Sequence, residues 1–235
     1  MRGGVSIIQT YLRLPDMERV TFIGFFPISI LDNYFEDCSR NITALSLNLR
    51  NIGNPPEPVP TRTLIDQQRP KIQLSHLYLF NSKIMTQWLL QRNTFAFSCL
   101  RSVEMDDQTW VSLQDSLKSS LRSIESLILT NFTNPTHLDL TKLPALRLLD
   151  VCIRPDHHEW LMSTLLRPSA HPNLRIITIR IDIQIYEEYS YTFERFRSNA
   201  SAIAAVHPVQ RVDFHHNTNL HQKESMKSFF ASDVV

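Results

Sequence analysis

The chain has 235 residues, 43% of them hydrophobic and 20% charged, which is long and apolar enough to bury a substantial core and too mixed in composition for a disordered segment. Lys plus Arg (24) against Asp plus Glu (23) leaves a formal charge of +1, so no global electrostatic force draws the chain to nucleic acid or to an anionic membrane. A single continuous domain over residues 1–235 is the default expectation.

Near the N-terminus the apolar stretch is no longer than Val5 to Ile8, too short for a secretory core or a membrane span. The cysteines Cys38, Cys99 and Cys152 are odd in number and widely spaced, which fits buried free thiols in a reducing compartment, cytoplasmic or nuclear and not secreted. The sequons at Asn41, Asn131 and Asn199 then read as chance.

Residues 5–14 place Ile7, Ile8, Tyr11, Leu12 and Leu14 on one face of a helix that turns at Pro15. Met17, Val20 and Phe22 form a short strand phrase, and Ile28, Leu31, Phe35 and Cys38 follow at helical spacing. Ile42, Leu45 and Leu47 repeat the strand phrase. The next segment, residues 53–70, carries five prolines and reads as an extended surface insertion in place of a helix.

The phrase is clearest in LSHLYLFN, residues 74–81, where Leu74, Leu77 and Leu79 spell L-x-x-L-x-L. Ser82 is placed to cap a helix bearing Ile84, Met85, Trp88 and Leu89. Leu100, Val103 and Met105 are the next strand, with Trp110, Leu113, Leu117 and Leu121 as the helix stripe after it. Ile124, Leu127 and Leu129 open a shorter unit with room only for a tight or 3₁₀ connection.

Leu146, Leu149 and Val151 come next, then Asp156 as an N-cap with Glu159 three residues on, ahead of Trp160, Leu161 and Leu165. Leu174, Ile177 and Ile179 precede the longest expected helix, marked by Phe193, Phe196, Ala200 and Ile203. Val209, Val212 and Phe214 are the last phrase, and SMKSFF beyond them reads as a capping helix.

The equivalent positions Val20, Leu45, Leu77, Val103, Leu127, Leu149, Ile177 and Val212 are separated by 25, 32, 26, 24, 22, 28 and 35 residues. A recurring phrase at such spacing is the mark of a leucine-rich-repeat-like α/β solenoid, right-handed, with a parallel β-sheet on its concave face and helices on its convex face. The asparagine expected after each strand survives only at Asn51, Asn81, Asn131 and Asn217, so the repeats are degenerate.

With four glycines and no G-x-x-x-x-G-K, G-x-G-x-x-G, G-x-S-x-G or H-E-x-x-H, the sequence carries no phosphate loop and none of the commoner hydrolase signatures. Cys152 followed by Asp156, His157, His158 and Glu159 reads as a helix start with exposed histidines rather than a thiolate–imidazole pair. Trp88, Trp110 and Trp160 fall on core stripes, and His215 and His216 point to opposite strand faces. No catalytic residue, metal or cofactor is expected.

Alternation leaves one sheet face open. It would show Thr21, Ser46, Tyr78, Glu104, Ile128, Asp150, Thr178 and Asp213 in one row, and Ile23, Asn48, Phe80, Asp106, Thr130, Cys152, Arg180 and His215 in the next. Ser46, Asn48, Tyr78, Phe80, Glu104, Asp106, Asp150 and Arg180 are the candidate partner-binding residues, an aromatic anchor in an acidic rim.

The phrases ITALSLNL, LSHLYLFN, SIESLILTNF, LPALRLLDV and HPNLRIITIRI resemble the repeat half of F-box/leucine-rich-repeat proteins, particularly the divergent set of mushroom-forming fungi. The resemblance implies a non-catalytic, target-recognising repeat domain of a ubiquitin-ligase subunit. It also implies a Skp-type adaptor as partner where an F-box precedes the repeats. No L-P-x-E-[IL] phrase occurs in the 235 residues, which leaves a stand-alone scaffold or a truncated paralogue as the alternative.

Overall fold

In this computed structural model the described residues are 8–24, 31, 34–35, 38–49, 71–80, 83–91, 94–132, 138–154, 157–167, 173–183, 193–218 and 225–230. They belong to two compact units, 1–120 and 121–235. The Pro-rich insertion, Ile28, Ser82 and Asp156, with Asn51 and Asn81, lie outside the described residues.

The first unit contains β1 (Arg19–Gly24), β2 (Ala44–Leu49), β3 (Ile72–Gln73), β4 (His76–Phe80), helix α1 (Lys83–Gln91), β5 (Phe95–Ala96), β6 (Ser102–Asp106) and helix α2 (Asp107–Gln114). Strands β1, β2, β4 and β6 pair in that order, all parallel. Their register aligns Val20, Leu45, Leu77 and Val103 in one ladder and Phe22, Leu47, Leu79 and Met105 in the next. None of these eight exceeds 6% exposure, so this face is dry and the repeated phrase pairs as its spacing requires. Gly24 closes β1 at φ +117°, a backbone angle that a side chain would strain.

Met85, Trp88 and Leu89 of α1 are buried, and Trp88 meets Phe35 and Phe95 at ring separations of 6.0 and 5.8 Å. Phe95 enters through an unforeseen two-residue parallel pairing of β3 with β5, too short to leave any periodicity in the sequence. Two helix stripes are shorter than expected. Residues 8–12 are helical and Leu12 is buried, but Tyr11 and Leu14 are 58% and 44% exposed. α2 stops at Gln114, and Leu117 and Leu121 are buried beyond it, Leu117 from a run of turns and Leu121 from a 3₁₀ helix, Leu121–Ser123; between Gln114 and Leu121, the residues Asp115, Ser116, Ser119 and Ser120 favour turns over helix.

The second unit contains β7 (Ser126–Phe132), β8 (Leu148–Ile153), helix α3 (His158–Leu165), β9 (Ile176–Ile183), helix α4 (Phe193–Val206), β10 (Arg211–Thr218) and β11 (Ser225–Phe230). β7 to β10 are parallel, with Leu127, Leu149, Ile177 and Val212 in one buried ladder and Leu129, Val151, Ile179 and Phe214 in the next. Asn131 takes φ 51° where the β7–β8 register shifts, a left-handed angle that asparagine tolerates. Asn217 instead lies within β10.

At 14 residues, α4 is the longest helix among the described residues. SMKSFF is not a helix. It is β11, antiparallel to β10, because a terminal parallel strand presents a row of unpaired N–H and C=O groups that another strand can satisfy and a helix cannot.

The short connection after β7 contains a 3₁₀ turn, Leu140–Lys142. Asp139 caps it, accepting from Thr141 N at 3.2 Å. The Thr141 hydroxyl chiefly holds the Asp139 carboxyl below its usual 3.8. A depressed folded-state pKa contributes stability above the unfolded value and loses it as pH falls through the folded one.

One backbone device recurs three times within each unit. The carbonyl of Glu18, just before β1, accepts the N–H groups of Thr43 and Ala44 at 2.8 and 3.0 Å; Thr43 does the same for Ser75 and His76, and Ser75 for Arg101 and Ser102. In the second unit Glu125, Arg147 and Arg175 repeat it toward β8, β9 and β10. Asn41 and Asn173, at matching positions before β2 and β9, each donate Nδ2 to a proline carbonyl just ahead of the preceding strand, Pro15 before β1 at 2.6 Å and Pro144 before β8 at 2.9 Å.

Leu77→Ala should cost about 2–5 kcal/mol, whereas the open-face Tyr78→Ala should cost clearly less; denaturant unfolding of both variants checks the register, which equal losses would contradict. Asp139→Ala should cost about 0.5 kcal/mol at neutral pH, a loss that urea titration should find shrinking as pH falls below the carboxylate range.

Candidate binding surface

The two sheet faces differ as alternation demands. In the first unit the open face carries Arg19, Thr21 and Ile23 on β1, Ala44, Ser46 and Asn48 on β2, His76, Tyr78 and Phe80 on β4, and Ser102, Glu104 and Asp106 on β6. Small side chains on β2 thus lie between longer ones on β1 and β4. The result is a trough of about 230 Å³ lined by Arg19, Thr21, Ala44, Ser46, Tyr78, Phe80 and Glu104. Ala44 is 4% exposed and forms its floor. Arg19 and Thr21 are exposed on one wall, and the His76 ring stacks at 6.5 Å on Tyr78 of the other.

Of the candidate residues, Ser46, Tyr78, Phe80 and Glu104 therefore meet around one trough, and Asn48 sits beside Phe80 in the next row. Asp106 is committed differently. Its carboxylate caps α2, accepting from Thr109 N at 2.9 Å and Thr109 Oγ1 at 3.0 Å. Arg19 and Ala44 lie one step earlier along the same alternation than the residues singled out from sequence, and extending the period-two pattern back to each strand's first residue would have found them.

In the second unit Ile128, Asp150, Thr178 and Asp213 align as one row. The expected acidic rim is not an open one here. Asp150 is 8% exposed and its carboxylate holds Arg180 of the next row at 2.5 Å, and Asp213, 3% exposed, is bound by Arg211 Nε at 2.8–2.9 Å. Burying a carboxylate without a partner is costly, so each draws in its own guanidinium. Asp150 and Arg180 answer each other.

The histidines are not both exposed. His158 is 1% exposed, with Nε2 3.1 Å from Asn199 Nδ2, and His207 Nε2 meets the Leu165 carbonyl, so two imidazoles tie α3 to α4. His157 rather than Asp156 stands at the N-cap of α3, with no side-chain cap bond. Cys152 pairs in register with Arg180 on the open face, away from the core side to which His158 is turned. Of the thiols only Cys38 is buried; Cys152 is half-buried and Cys99 exposed. Trp88 and Trp110 are core, while Trp160 is half-buried against Phe132.

The side-chain amides of Asn41 and Asn199 are engaged within the chain. Among the described residues no group of three His, Cys, Asp or Glu side chains could hold a metal ion, and no helix is long and apolar enough to cross a membrane.

Arg180→Ala should destabilise the protein by about 1–3 kcal/mol, since it removes a charge-assisted bond from a nearly buried carboxylate. The double variant Arg180→Ala, Asp150→Asn should recover part of that loss in denaturant unfolding; additive losses would show that the two groups are not coupled. No protein-family model, curated protein sequence or solved structure matches this chain.

Proposed function

We propose that the chain is a non-catalytic protein-binding module of the leucine-rich-repeat solenoid type, its parallel strands on the concave face and its helices on the convex one. Its role in this reading is target recognition in an F-box-type ubiquitin-ligase subunit, with a Skp-type adaptor as partner only where an F-box precedes the repeats. The observation that carries the binding role is the trough of the first unit, an open sheet face with two aromatics beside small floor residues. Aromatic anchors at a partly desolvated depression are where binding energy concentrates at protein interfaces.

The repeat reading is supported by the carbonyl clasp made three times in each unit and by the matched Asn41 and Asn173 bonds. Each unit of such a stack leaves its leucines exposed alone and buries them against its neighbours. The ubiquitin-ligase role rests on the resemblance of the strand phrases. Because no L-P-x-E-[IL] phrase occurs in the sequence, a stand-alone repeat scaffold is the second reading, and it uses the same face.

A random peptide library displayed on phage and panned against the full chain tests the binding role. Enriched sequences should lose at least tenfold in affinity for Tyr78→Ala and Phe80→Ala, about 1.4 kcal/mol, with the fold intact by circular dichroism. Failure to enrich any sequence dependent on those two side chains would overturn it.

A further inference from the structure

In the second unit β10 is covered on its outer side by antiparallel β11. In the first unit β1 has no such cover, since among the described residues no strand pairs with its outer side. Glu18 sends its carbonyl toward β2, and the backbone groups of successive strand residues turn to alternate sides. The N–H and C=O of Arg19, Thr21 and Ile23 therefore point away from β2.

Nothing along β1 guards that edge. Sheets blunt an open edge with lysine, proline, a bulge or an inward-pointing charge, whereas RVTFIG has no lysine or proline, buries only Val20 and Phe22, and runs in unbroken register with β2 from Arg19 to Gly24. Apolar side chains are exposed at the same end of the unit. Of the four large hydrophobics exposed among the described residues, Ile23, at 70%, is in β1, and Tyr11 and Leu14 lie just ahead of it. An extended, unguarded edge beside exposed apolar groups is a surface for strand addition.

We infer that β1 pairs antiparallel with β1 of a second copy of this chain, about a twofold axis through Thr21. In that register Thr21 faces Thr21 and Arg19 faces the second copy's Ile23, so every outward N–H and C=O of these three residues meets a partner. The faces also match. Val20 and Phe22 meet on the buried side, and on the open side the aliphatic stem of Arg19 lies along Ile23. The two Arg19 positions are four residues apart along the seam, about 14 Å, which is beyond the roughly 8 Å screening length of physiological salt. An edge paired with itself is used up, so association stops at two. The axis runs through the sheet, and both troughs open on the same side, one on each flank of the seam. The dimer is independent of what the troughs bind.

Sedimentation velocity of the full chain over a concentration series should show a monomer–dimer equilibrium. Thr21→Pro removes an N–H that points away from β2, a place where an edge strand accepts proline. It should weaken the dimer about tenfold or more and leave the circular dichroism unchanged. Thr21→Lys and Thr21→Glu each set like charges face to face across the axis, so each alone should be monomeric where the wild type is dimeric, and an equimolar mixture of the two should dimerise. If Thr21→Pro misfolds, the charged pair decides. A wild-type chain that stays monomeric at every concentration, assembly beyond two copies, a dimer that the Thr21 variants leave intact, or a mixture that associates no better than either charged variant would overturn the inference.

Discussion

Everything in this molecule depends on a bond that involves no side chain. The carbonyl in front of a strand accepts two successive N–H groups from the segment that opens the next one, as with Thr43 toward Ser75 and His76. A carbonyl has two lone pairs, and using both on one neighbour fixes where the next strand begins relative to the last. Each such bond contributes only about 0.5–1.5 kcal/mol net, while a buried leucine contributes about 1.5–3. Burial supplies the driving force and the clasp sets the register. A slip of one residue would turn Leu77 outward and Tyr78 inward.

Because the clasp sits at the strand starts, the chain between strands is free to vary. A 3₁₀ turn at Leu140–Lys142 lies between β7 and β8, and the 14-residue α4 lies between β9 and β10. The strands they join nonetheless pair through equivalent residues. That is how spacings from 22 to 35 residues coexist with regular ladders of leucine, isoleucine and valine.

The same register gives the two units different open faces. In the first it sets Ala44 and Ser46 between Arg19 and Tyr78, and the difference in side-chain length hollows the surface. In the second it places Asp150 and Asp213 where they are nearly buried, and each is neutralised by an arginine from its own surroundings. The first unit carries the binding proposal because its open face is hollowed beside two aromatic rings.

The sequence by itself determined the eight strand phrases and which of their residues pair, because period-two alternation and a repeated L-x-x-L-x-L report directly on burial. It also determined the rows of the open face, so Ser46, Tyr78 and Glu104 were readable as neighbours in advance. Asp106 caps α2 through Thr109, three residues on, a role that a helix-start pattern in the sequence can signal. Tertiary structure alone decided the rest: Asp150 and Arg180, 30 residues apart, found each other across two strands, His158 went into the core toward Asn199, 41 residues on, and SMKSFF became a strand against β10. A buried carboxylate, an imidazole and a strand edge each need a partner, and local pattern carries no record of where in the chain that partner lies.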